Sequence, residues 1–347
     1  MSSGYLYEPL PDIDAGRRLH LNENTRGCSP AVIGAIARLT QEDIGVYPAY
    51  ERATGACAEA LGVTADQVLL TNGLDEGILT VALALLPRDG MSDALVVEPA
   101  YGMFGPSAKL AGARVIQAIP PPDLGFDLDA VRAAITPATR LVLLASPNNP
   151  TGAMVPGDGI RQLAEAVPPG AAVFVDEAYV DFEGRTVIGD IARTPNLVVG
   201  RTFAKAYGLA GMRIGCLVAQ AETIRRLRGA IAPFSVNVFA AAALEAALAD
   251  REHVERYVSQ VRASRELLYD ACTRLGLPFW RSAANFVLVR VGDAPAARAA
   301  LAARGIHVRD RSAAPGCEGC LRITAGWVDD TKACVAALEE ALCGEQR

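Results

Sequence analysis

With 347 residues, 51% of them hydrophobic, the chain has enough apolar mass for one large domain and one smaller, each with its own core. A net charge of −6, with 33 basic residues scattered rather than clustered, excludes a phosphate-backbone binder and gives no footing on an anionic membrane. No apolar run approaches the roughly 20 residues that span a bilayer, and the opening MSSGYLYEPLPDID lacks the basic and apolar segments of a signal peptide. A cytoplasmic protein is expected.

Residues 1–30, rich in Pro, Asp and Asn and without strong periodicity, read as an N-terminal arm. From about residue 66 to 220, short β-branched runs alternate with Ala- and Leu-rich segments at helical spacing. The runs are QVLLTNG, ALVVEPAYG, ARVIQAIP, RLVLLASPNNP, AAVFVDEAYVDF, NLVVGRTF and IGCLVA. This alternation predicts crossover units, hence an α/β fold with a mostly parallel seven-stranded sheet covered by helices. After about Ser235 the pattern changes to a long helical stretch, Val238 to Leu275, then strands FVLVRV, GIHVRD and CLRITAG, and a closing helix near Asp330 to Leu342. The expected division is an arm (1–30) packing on a small domain, a large domain (31–235) and a small α+β domain (236–347). Eight cysteines run from Cys28 to Cys343, with one CxxC pair (Cys317, Cys320) and only three histidines. They read as structural thiols, with no metal site.

The polar signatures TNG, EPAYG, SPNNPTG, DEAY and RTFAK all follow apolar runs, where an open parallel sheet assembles a ligand site. Thirty of the 33 basic residues are arginine, and one of only three lysines, Lys205, ends such a run. Arginine replaces lysine on a surface but cannot condense with an aldehyde, so the amine at 205 points to Schiff-base chemistry. The signatures then read as the parts needed by pyridoxal 5'-phosphate. Lys205 supplies the amine, and Asp176 a carboxylate for the ring nitrogen. Asn149 and Tyr179 offer hydrogen bonds to the phenolic oxygen, and Tyr101 a ring to stack. The helix entry at Leu74, Asp75 and Glu76, with Thr202 and Arg213, suits the phosphate. Arg322 in CLRITAG suits a substrate carboxylate.

LNEN (21–24), YP (47–48), GLDEG, EPAYGMF, SPNNPTG, DEAYVDF, RTFAKAYGLAGMRIG and GCLRITAG, in this order, resemble the fold-type I pyridoxal-phosphate aminotransferases over nearly the whole chain. The similarity is greatest to the histidinol-phosphate aminotransferase subfamily. The resemblance implies that Lys205 carries the cofactor, with Asp176, Asn149, Tyr179, Tyr101, Thr202, Arg213 and the Leu74–Glu76 turn around it. It implies a homodimer with shared sites, Tyr47 reaching the neighbouring subunit's cofactor phosphate. It also implies substrate contacts from Arg322, Asn24 and an arm tyrosine, Tyr7 or else Tyr5. The implied reaction moves an amino group between a small amino acid or amino-alcohol phosphate and a 2-oxo acid such as 2-oxoglutarate. Histidinol phosphate leads and an aromatic amino acid follows. The alternative is a decarboxylase, lyase or oxidative enzyme on the same scaffold. Ala204 departs from the family's Ser or Thr before the lysine, a loss of one hydrogen bond to the phosphate worth about 1 kcal/mol.

Overall fold

A seven-stranded sheet organises the computed structural model, which describes residues 15–87 and 90–343. In chain order the strands are β1 (Arg17–Arg18), β2 (Val68–Thr71), β3 (Asp93–Val97), β4 (Arg114–Ala118), β5 (Thr139–Ala145), β6 (Ala172–Asp176), β7 (Leu197–Thr202), β8 (Gly215–Val218), β9 (Phe279–Trp280), β10 (Phe286–Arg290), β11 (Ile306–His307), β12 (Arg309–Asp310) and β13 (Cys320–Thr324). The α-helices are α1 (Pro30–Ala37), α2 (Gln41–Gly45), α3 (Glu51–Leu61), α4 (Gly73–Leu85), α5 (Phe104–Leu110), α6 (Leu128–Ala133), α7 (Gly157–Ala166), α8 (Ala221–Arg228), α9 (Val238–Ala249), α10 (Arg251–Leu275), α11 (Ala294–Ala303) and α12 (Val328–Cys343). Among the described residues no helix is long and apolar enough to cross a membrane.

The large sheet has the order β2-β8-β7-β6-β5-β3-β4. Its pairs are parallel except that β8 runs antiparallel to both neighbours. The expected runs thus form the seven strands, because both faces of the sheet are covered and continuous Val, Leu and Phe runs suit strands buried on both sides. The two-residue alternation sorts their side chains between two cores. Leu141, Leu143, Ala172 and Phe174 enter one, while Val142, Leu144, Val173 and Val175 enter the other. Asp176 shares the parity of Ala172 and Phe174, which sends its carboxyl to the α4 side of the sheet.

The rest of the chain builds an antiparallel sheet of order β12-β13-β10-β9 and a parallel pair β1-β11. Residues 17–19 run beside β11, with Leu19 N–H donating to His307 O at 2.8 Å and Leu19 O accepting from Thr324 N–H at 2.9 Å. The arm is therefore stitched to the smaller sheet just before it enters the site.

One expected helix is two. The stretch from Val238 to Leu275 breaks at Asp250, whose side chain accepts from His253 N–H and so caps α10. Apolar side chains of α9 join the core that holds α1 and α3 behind the large sheet, whereas α10 packs on α12. The other Asp250 oxygen accepts from the hydroxyl of Ser29, itself the N-cap of α1. Asp250→Ala should therefore lower stability by about 1–2 kcal/mol, read as a reduced urea midpoint with unchanged slope.

Candidate active site

The carboxyl ends of β5, β6 and β7 and the start of α4 enclose one cavity. It gathers Leu74, Asp75, Tyr101, Asn149, Asp176, Tyr179, Thr202, Lys205 and Arg213, nine of the residues singled out from the sequence, together with Ala204. They come from five separate stretches of chain, and the parallel strands that end at the same edge bring them together.

Asp176 closes β6 and is 4% exposed, with one carboxylate oxygen accepting the Ala178 N–H at 2.8 Å. Burial is the main reason its pKa stands at about 7 instead of 3.8, and among the described residues no salt bridge includes it. The next side chain, Glu177, turns to the other face, accepting from Thr186 Oγ1 at 2.6 Å and Val187 N–H at 2.7 Å. Asp181 lies just beyond and pairs with buried Arg201 of β7 at 2.5 Å. That pair ties the chain after β6 to the strand that leads into the lysine loop.

Three successive arm residues each hold one site side chain. The carbonyl of His20 accepts from Arg322 Nη2 at 2.5 Å, that of Leu21 from Lys205 Nζ at 2.9 Å, and Asn22 Nδ2 donates to the Tyr179 hydroxyl at 3.0 Å. Lys205 Nζ also stands 5.9 Å from the centroid of the Tyr179 ring. Arg322 is buried on β13 and donates through Nη1 to Asn149 Oδ1 at 2.7 Å, while its Nε–H has no protein acceptor. β13 is flanked by β12 and β10, so Arg322 is not the solvated edge charge that a terminal strand would suggest. Burial is the main cause lowering its pKa to about 10, which leaves it charged at neutral pH.

At the opposite end, Asn72 makes no side-chain cap, so the first-turn amides of α4 are open to an anion. The Arg213 guanidinium lies across that turn, bonded to Asp75 at 3.1 Å and to Ala210 O at 3.2 Å. A Cβ on Gly73, which has φ +73°, would be strained and would sit 2.5 Å from Arg213 Nη2, pushing the guanidinium from its place across the turn. Tyr101 donates to the other Asp75 oxygen at 2.7 Å. Thr202 Oγ1 accepts the Ala204 N–H at 3.2 Å, and the Ala204 methyl takes the place of the hydroxyl that the family resemblance led us to expect.

Three expected residues stand elsewhere. Glu76 turns its carboxylate to Asn72 N–H at 2.6 Å and Ser235 Oγ at 2.9 Å, and only its backbone belongs to the α4 turn. The Asn24 amide spans from the arm to Ala206 O at 3.2 Å, fastening the lysine loop from outside the cavity. Tyr47 is 77% exposed and stacks on Phe234 with ring centroids 4.4 Å apart. Tyr7, like Tyr5, lies outside the described residues. Sequence reasoning missed Asn22, although LNEN carries two asparagines, because nothing local says which one turns inward. It also missed Arg309, which is paired in register directly opposite Arg322. Only strand pairing reveals that neighbour.

The residues fit pyridoxal phosphate on a specific ground. A buried carboxylate without a cationic partner faces a cavity whose far end offers open helix amides and a guanidinium. A protonated pyridine nitrogen would complete the first, and a phosphate the second.

A family model described as "Aminotransferase class I and II" matches residues 17–338. The chain is 39% identical over 339 residues to histidinol-phosphate aminotransferase 2 of Ralstonia nicotianae, covering 94% of this chain and 88% of that one. It is 40% identical over 335 residues to histidinol-phosphate aminotransferase 1 of Cupriavidus pinatubonensis, with the same coverage. Among solved structures, histidinol-phosphate aminotransferase from Sinorhizobium meliloti in complex with pyridoxal-5'-phosphate superposes with a TM-score of 0.88 at 27% identity, over 97% of this chain and 96% of that one.

An acid whose folded pKa lies above its unfolded value costs stability as pH rises, here between 3.8 and about 7, because the folded chain binds more protons across that interval. Without cofactor, Asp176→Asn should therefore melt above the parent at about pH 8, by up to a few kcal/mol, and lose that advantage near pH 4. A variant less stable than its parent at pH 8 would show that the carboxylate is not unpaired.

Proposed function

The chain belongs to the class I and II aminotransferases and is a pyridoxal-phosphate enzyme, and we propose that it transfers the amino group of histidinol phosphate to a 2-oxo acid such as 2-oxoglutarate. The observation that carries this choice of donor is the register of β12 and β13. Arg309 lies directly opposite Arg322, and opposite residues of an antiparallel pair share a face. Two guanidiniums so placed repel each other, and Arg309 and Arg311 both push the Arg322 pKa down. A dianionic phosphate, or the carboxylates of the acceptor, relieves that repulsion where a neutral aromatic side chain does not. The names of the curated relatives support the same donor.

When bound, the cofactor supplies the electron sink that makes the substrate's α-hydrogen acidic. Asp176 would hold the ring nitrogen protonated, while Asn149 and Tyr179 would donate to the phenolic oxygen. Tyr101 would cover the ring face. Thr202, Arg213 and the amides at Leu74 and Asp75 would hold the phosphate. Lys205 carries the one amine in the cavity; as a free base it would take the proton from the substrate α-carbon and return one in the second half-reaction. Its bond to the Leu21 carbonyl keeps Nζ on the side from which the arm covers the site.

Ile33, Ile44, Val46, Tyr47 and Phe234 are all at least half exposed, and a cleft of about 740 Å³ lies beside Phe234, lined also by Pro48 and Tyr50. So much exposed apolar surface supports a homodimer in which Tyr47 reaches the neighbouring cofactor phosphate. We assign residues 15–30 to an arm and place the change from large to small domain at Asp250, beyond the 235/236 division expected from sequence. α9 packs with the large sheet's helices, which supports this boundary. Small-molecule substrates and the absence of any membrane-spanning helix among the described residues agree with a cytoplasmic enzyme.

A panel of amino donors with 2-oxoglutarate tests the assignment. Histidinol phosphate should give the highest kcat/KM, and a preference for phenylalanine or tyrosine would overturn it. Arg309→Ala should lower kcat/KM for the phosphate-bearing donor by about 10–100-fold, the worth of one hydrogen bond to a charged group, and leave a non-phosphorylated donor little changed. Lys205→Ala should cost at least about 10²–10⁴-fold in turnover.

A further inference from the structure

We propose that Asn22 is a positioning residue that fixes the Tyr179 hydroxyl as a hydrogen-bond donor toward the cavity. Asn22 is fully buried and has φ +57°, a left-handed conformation uncommon outside glycine. Four hydrogen bonds hold it there. Its N–H donates to Thr324 Oγ1 at 3.1 Å, and that hydroxyl donates back to Asn22 Oδ1 at 3.0 Å. Its carbonyl accepts from Asn285 Nδ2 at 3.0 Å, and its own Nδ2 donates to the Tyr179 hydroxyl at 3.0 Å.

The direction of the last bond follows from the others. Thr324 is fully buried and its one hydroxyl hydrogen goes to Asn22 Oδ1; with the amide turned over, the hydroxyl would accept from both Asn22 nitrogens and that hydrogen would lose its acceptor. The end of the amide facing Tyr179 is then Nδ2, a donor. Tyr179 Oη accepts there, and its single hydrogen is left to point into the cavity that the ring lines. Asn149 is set in the same sense. A guanidinium has no acceptor, so Arg322 fixes Asn149 Oδ1 outward and leaves the NH₂ group for the cavity. Two donors of matched polarity thus converge, which suits an ionised phenolic oxygen and no neutral donor group.

This inference rests on the assignment of Tyr179 to the cofactor's phenolic oxygen. The ionisable groups around that hydroxyl are Lys205, Arg322 and Asp176, with Tyr101 and Asp75 across the cavity. Asn22→Asp reverses the polarity at one atom, because a carboxylate accepts the Tyr179 hydrogen and draws it away from the cavity. The measurement is the pH midpoint of the bound cofactor's visible absorbance change in the holoenzyme. A donor to the phenolic oxygen favours its ionised form, so losing the donor should raise the midpoint. Tyr179→Phe should raise it by about one pH unit, the worth of a hydrogen bond to a charged group. Asn22→Asp should raise it similarly, and the double variant should go little further than either.

An Asn22→Asp midpoint equal to the parent's, or a shift that adds in full to that of Tyr179→Phe, would overturn the inference while leaving the role of Tyr179 intact. A Tyr179→Phe midpoint equal to the parent's would remove that role and the inference with it. Should Asn22→Asp not fold, Thr324→Val introduces no charge and frees the amide to turn over. Its midpoint should also rise, and an unchanged value would overturn the proposal.

Discussion

A carboxylate sealed at the end of β6, facing a cavity and without a salt-bridge partner among the described residues, is the constraint around which this molecule is arranged. Burying such a charge costs several kcal/mol unless a partner arrives, and the raised pKa of Asp176 expresses that cost. The fold keeps the carboxylate there by means that act away from the cavity. Strand pairing on both sides fixes β6, the Ala178 N–H holds one oxygen, and the Arg201–Asp181 pair clamps the segment that follows. A site preorganised in this way binds a cationic heterocycle at the cost of little further rearrangement.

The arm completes what the sheet begins. His20, Leu21 and Asn22 each hold one side chain of the site, and each of those side chains comes from a different element. Leu19 is in turn stitched to β11 and β13. A displacement of the smaller sheet would therefore act on Arg322 directly and on Lys205 and Tyr179 through the arm. The large sheet and the smaller one are coupled through hydrogen bonds of defined polarity, not through apolar contact alone.

Departures from local rules collect in the same place. Among the described residues, two of the three non-glycine positions with positive φ, Asn22 and Arg213, border the cavity, and the buried carboxylate and the unpartnered Arg322 Nε lie beside it. Elsewhere the chain is locally consistent, with Thr40, Asp127, Asn237 and Asp293 capping their helices and uninterrupted apolar runs in the central strands. Concentrated strain of this kind marks a site at which geometry is set by function.

Much of this was legible in the residues alone. The seven apolar runs became seven strands because a run buried on both faces carries its own signal. The polar signatures converge because strands of a parallel sheet end at one edge, so Lys205, Asp176, Asn149, Tyr179 and Tyr101 could be named as neighbours without coordinates. Local pattern could not say that Asp250 divides the helical stretch in two, or that Glu76 would turn to Ser235 while Asp75 turned inward. Nor could it choose between Asn22 and Asn24, or find Arg309 across from Arg322. The sequence by itself determined the architecture and the chemical inventory of the site, since periodicity and residue type are properties of short stretches. Tertiary structure alone decided the partners and polarity of each hydrogen bond, because those depend on register and on contacts between residues as much as 313 positions apart.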